Sequence, residues 1–118
     1  MEHLTKITYK GNQIFLLDGS GGPEVLLETI SQARKEIDLQ PPKSVLIITD
    51  VTRAEWDGKV IQALKNFTRD NTPFIKASAV VGVTGLNRIM LETVKRITGR
   101  EFGICKDIEE AKEWLIRQ

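Results

Sequence analysis

Two residue types that carry much of protein chemistry are nearly absent: the 118-residue chain has one cysteine, Cys105, and one histidine, His3. A lone cysteine closes no internal disulfide. Together with one remote histidine it falls short of the ligand set that zinc takes, and no other metal motif is present. Cys105 sits in the apolar phrase Phe102-Gly103-Ile104-Cys105, without a basic partner to make a thiolate, and reads as a small core residue. Charge of one sign is missing as well. Seventeen Lys and Arg stand against 16 Asp and Glu, a formal net charge of +1. Proteins that bind nucleic acid or an anionic membrane usually carry a larger basic excess, so neither partner is expected. No apolar run approaches the roughly 18 residues of a membrane span. The opening MEHLTKITYK holds no apolar stretch of signal-peptide kind, which points to a cytoplasmic protein. There is no low-complexity tract and no clear repeat. The only break is Leu39-Gln40-Pro41-Pro42-Lys43, a connector between elements rather than an interdomain linker. A single domain over residues 1–118 follows, with one ordinary core that needs no staples.

What is present is a regular alternation of strand and helix patterns. Leu4 to Tyr9 and Gln13 to Leu17, joined by Lys10-Gly11-Asn12, predict an antiparallel hairpin. Pro23 suits a first helical position, and Leu26, Ile30, Ala33 and Ile37 then mark one face of a helix to Ile37. Ser44 to Thr49 is a short apolar strand. A helix from about Asp57 to Asp70 follows, with Val60, Ile61, Leu64 and Phe67 on one side and Asp57 as N-cap. Trp56 and Ile61 are spaced for a hydrophobic staple at its start. Ala77 to Val83 reads as a strand covered on both faces. Thr84 is the expected cap of a helix from Gly85 to Thr98, with Leu86, Ile89, Met90, Thr93, Val94 and Ile97 inward and Gly99 as its stop. Arg88, Lys95, Arg96 and Arg100 read as a solvated basic face, with Glu92 placed to pair with Arg96. Phe102 to Cys105 is a last short strand, and Asp107 caps a closing helix with Glu110 in capping-box position. The fold class is α/β, in the order ββαβαβαβα. A mainly parallel five-stranded sheet with an N-terminal antiparallel hairpin is expected.

This order, the VLIITDVT strand and the closing DIEEAKEWL helix resemble a STAS domain, and more closely its SpoIIAA-like branch, whose fold is also similar to CRAL-TRIO lipid-transfer domains. The resemblance spans nearly the whole chain. It implies a small domain that regulates by binding a protein and is not an enzyme. In phosphorylatable STAS domains the strand matching Val45–Asp50 is followed by an acidic residue, a serine pair and a glycine, and the serine is the switch. Here those positions read Glu55, Trp56, Asp57 and Gly58, so the resemblance implies a domain without that switch.

Three loops invite a ligand. Asp18-Gly-Ser-Gly-Gly-Pro23 lacks the Gly-Lys-Ser/Thr of a P-loop and reads as a turn. Asp50, Thr52, Arg53, Glu55 and Asp57 crowd acidic groups into one turn without a calcium-loop spacing. Thr84, Gly85 and Arg88 open a helix, where amides favour an anion. Parallel topology is expected to set this turn beside the Thr52–Asp57 turn. The expected interaction surface is therefore Thr52, Arg53, Glu55, Trp56, Asp57, Gly58, Thr84, Gly85 and Arg88, with exposed Trp56 as its anchor. No catalytic residue, metal or cofactor is expected. An unidentified protein partner leads, small anions or lipids bind weakly at best, and a homodimer stays open. The alternative is a small-ligand or lipid carrier, which would show an apolar pocket of roughly several hundred Å³.

Overall fold

The computed structural model describes residues 2–118. The elements run β1 (Leu4–Tyr9), β2 (Asn12–Asp18), α1 (Pro23–Ile37), β3 (Val45–Asp50), α2 (Gly58–Asn71), β4 (Ile75–Val81), α3 (Leu86–Thr98), β5 (Gly103–Cys105) and α4 (Ile108–Ile116). The sheet order is β1-β2-β3-β4-β5. β1 pairs antiparallel with β2, from Leu4 opposite Leu17 to Tyr9 opposite Asn12, and every later pair is parallel. This is the architecture expected from the sequence.

The order of strands dictates where the helices go. The parallel strands are laid down in one direction without reversal, and each crossover is right-handed by rule, so α1, α2 and α3 fall on the same face. Only α4, which follows the last strand, covers the other. The cores agree. Phe15, Leu17, Val45 and Ile47 meet Leu26, Ile30, Val60, Leu64 and Val94 on the three-helix side. Ile14, Leu46, Ile48, Ala79, Val81 and Cys105 meet Ala111 and Leu115 on the α4 side. Cys105 is thus the core residue its setting suggested, and burial pushes its thiol pKa up. A sheet without reversal also lacks the switch-point crevice in which doubly wound folds hold their ligands.

α3 departs from expectation. Of its residues only Val94 is buried, while Leu86, Ile89 and Ile97 are 57%, 60% and 59% exposed. Its inward line is Asn87, Leu91, Val94 and Thr98, and the face expected to pack looks largely outward. The cause is the floor beneath it. β5 is three residues, about 10 Å of strand, whereas the 13 residues of α3 span about 20 Å. A helix over so short an edge strand finds a sheet for one stripe only.

Candidate functional site

The carboxyl ends of β3 and β4 feed the turns that precede α2 and α3. In the first, Asp50 Oδ1 accepts from the Thr52 amide (3.0 Å) and hydroxyl (2.6 Å), which bends the chain out of the strand. Asp57 caps α2 as expected, its side chain accepting from the Val60 amide at 2.8 Å. In the second turn Gly82 takes φ +89°, and a Cβ there would lie 2.6 Å from Thr52 Cα. The two turns therefore touch, and only glycine allows it.

Asn87 joins them. Its Nδ2 donates to the carbonyls of Val51 (2.6 Å) and Gly82 (3.0 Å), and its Oδ1 accepts from the Trp56 indole N–H at 2.8 Å. One amide side chain thus spans the end of β3, the end of β4 and the approach to α2. The expected adjacency of the Thr52–Asp57 and Thr84–Arg88 turns is met.

Other expectations are corrected at this point. Trp56 is half-buried rather than an exposed anchor: with Leu91 and Phe102 it packs against the buried cluster of Val51, Val80 and Val83. Thr84 does not cap α3. Gly85, at φ +52°, occupies the cap position without a side-chain bond, and Thr84 instead offers its carbonyl to the Asn87 amide. The Arg88 amide bonds Gly85 O, so two of the amides at this helix start are already used within the turn. Thr52, Arg53, Glu55, Asp57, Gly58, Thr84, Gly85 and Arg88 are exposed. Glu92 does not pair with Arg96; Lys95 pairs with Glu101 at 3.3 Å.

Arg100, expected on a solvated face, turns inward. Its Nη1 donates to Thr68 O (2.8 Å), Asn71 Oδ1 (2.6 Å) and Thr72 Oγ1 (3.2 Å), and its Nη2 to Ser78 Oγ at 2.7 Å. The guanidinium lies 5.8 Å from the Phe102 ring centroid. Burial lowers its pKa from the usual arginine value. Beside it, between the sheet, α2 and α3, is an apolar cavity of about 50 Å³ whose wall includes Ile47, Trp56, Val80, Leu91 and Phe102. Asn87 and Arg100 were both missed as working residues. An Asn or Arg beside a helix end carries no signal of its own, because its partners are far away in sequence.

No protein-family model matches this chain, and no curated protein does. Among solved structures it is similar to an uncharacterized protein of the DUF3478 family with a SpoIIAA-like fold, from Shewanella loihica PV-4. The TM-score is 0.76 at 13% identity, over 95% of this chain and 91% of that one. The fold is thus SpoIIAA-like.

Proposed function

We propose that this domain works without catalysis, by binding a protein partner through α3 and the two turns at its start. The observation that carries the reading is the outward apolar line on α3. At roughly 3.6 residues per turn, Leu86, Ile89, Thr93 and Ile97 share an arc. Three of the four are large aliphatic side chains more than half exposed. Such clustering marks contact surfaces more often than single exposed residues do. The surface continues into Thr84, Gly85, Arg88 and the abutting Thr52–Gly58 turn.

Charge selects the kind of partner. α3 carries Arg88, Lys95 and Arg96 against Glu92 alone, and among the described residues no carboxylate lies within ion-pair distance of Arg88 or Arg96. A complementary surface has apolar side chains rimmed by Asp and Glu. A second copy docked α3 to α3 would set these basic residues against their own images, which disfavours the homodimer. The lipid-carrier alternative is weaker, because the apolar pocket between the sheet, α2 and α3, at about 50 Å³, is well below the roughly 300–1,000 Å³ of ordinary ligand sites. A regulatory role is inferred from the resemblance alone. With Trp56 at the switch position and its ring packed inward, phosphorylation there has no acceptor.

The test is affinity capture from the native host with wild type and with the Ile89→Ser/Ile97→Ser double variant. Titration of the purified partner follows. Binding that the double variant weakens by at least about tenfold, and that falls with added salt, supports the reading. A partner held equally well by both proteins would remove α3 from the interface.

A further inference from the structure

We propose that the cavity between β3, β4, α2 and α3 is a binding site for a small apolar carboxylate, whose anionic end meets Arg100. Three features carry this, independently of the outward face of α3.

The first is an incomplete charge balance. Among the described residues no carboxylate lies within ion-pair distance of the Arg100 guanidinium. All four acceptors of the guanidinium are neutral: the backbone carbonyl of Thr68 and the side-chain oxygens Asn71 Oδ1, Thr72 Oγ1 and Ser78 Oγ. The carbonyl end of α2 compensates in part, since a helix C-terminus acts as roughly half a negative charge. A partly buried cation is usually paired more fully than that.

The second is unused donor capacity. A guanidinium has five N–H groups in a flat fork. Here the bonds run from Nη1 and Nη2; among the described residues Nε has no protein acceptor, and it is open to solvent, since no buried side-chain nitrogen lacks a partner. The Nε–Nη2 edge is one that a carboxylate can grip with two parallel bonds.

The third is the space beside it. The remaining wall is mostly apolar: Ile47, Val80, Leu91, Val94 and Phe102. A chloride or phosphate would gain the charge and lose that wall; an alcohol or hydrocarbon would do the reverse. About 50 Å³ admits only a short tail, so the class is a carboxylic acid of a few carbons.

The experiment titrates ¹⁵N-labelled full-length protein with butanoate, 1-butanol and inorganic phosphate in separate series. The expected result is saturable shifts for butanoate, with a Kd at or below about 1 mM given its few heavy atoms. The shifts centre on Ser78, Val80, Phe102 and the Arg100 Nε–H, with butanol and phosphate at least about tenfold weaker. Arg100→Gln should lose the preference for butanoate over butanol. Because that change also removes bonds to α2, Val80→Phe is the second variant: it fills the cavity, leaves Arg100 in place and should abolish butanoate shifts. Equal binding of butanol, shifts confined to the outer face of α3, or no saturation by any acid from acetate to hexanoate would each overturn the proposal.

Discussion

The Trp56 indole donates to Asn87 Oδ1 at 2.8 Å across 31 residues of sequence, and this bond holds the approach to α2 against the first turn of α3. Since the same Asn87 side chain also ties down Val51 O and Gly82 O, it acts as a latch at the carboxyl edge of the sheet.

Removing the latch has a measurable cost. Asn87→Ala leaves the Trp56 N–H and two carbonyls without their partner in a half-buried setting, and is expected to destabilise by about 2–4 kcal/mol. Urea unfolding followed by circular dichroism checks it. A change below about 0.5 kcal/mol would mean that water replaces all three bonds freely.

The contact between the two turns predicts a contrast between glycines. Gly82→Ala places a methyl against the Thr52 backbone at a positive φ, and should cost about 2 kcal/mol or more. Gly99 also has positive φ, at the end of α3, but open space around it, so Gly99→Ala should cost about 1 kcal/mol. Similar losses at both sites would deny the close approach at Gly82.

The orientation of α3 is open to test by truncation. Val94 is 4% exposed and Ile89 60%, so Val94→Ala should destabilise by about 1–2 kcal/mol and Ile89→Ala by less than about 0.5. The reverse order would restore the inward face that the apolar spacing suggested.

Glu113 on α4 accepts hydrogen bonds from Lys10 Nζ (2.8 Å) and from the Tyr9 hydroxyl, and these bonds, in that order, hold its carboxyl below the usual glutamate pKa. A carboxylate depressed in the folded state adds stability above the unfolded-state pKa of about 4.3, and loses it as pH falls through the folded value. The stability gap between wild type and Glu113→Gln should therefore be full near neutral pH and close as pH drops below about 4. Denaturant midpoints along that pH range give the answer; a gap that widened in acid would contradict the assignment.

Much of the frame was legible because its signals are local. Pro23, Asp57, Asp107 and Gly99 act on the residues next to them, and helix ends fell where these residues placed them. The run Ala77 to Val83 reads from composition as a strand covered on both faces, and Ser78, Ala79, Val80 and Val81 in it are buried. The face α3 presents is a different kind of fact. Apolar spacing gives the arc of a helix that prefers contact, yet the sheet under α3 is limited by β5, whose shortness no residue of α3 reports. Trp56 failed for the same reason in reverse: its partners Val80, Val83 and Asn87 arrive from beyond α2, and a turn read alone cannot supply them. Arg100 follows a helix stop, where basic residues usually meet water. Only the approach of α2 to β4 turns it inward.

The placement of the two indoles has a practical consequence. Trp56 lies among the side chains beneath α3, whereas Trp114 of α4 presses on Gly103 from the opposite side of the sheet, so closely that a Cβ on Gly103 would sit 2.5 Å from its ring. The molecule thus carries two optical reporters separated by its own backbone. Emission from Trp56 senses events at the cavity, α3 and the paired turns; emission from Trp114 senses the seating of α4. Single-tryptophan proteins made by Trp56→Phe and by Trp114→Phe would let one fluorescence trace follow occupancy on one face while the other follows integrity on the reverse.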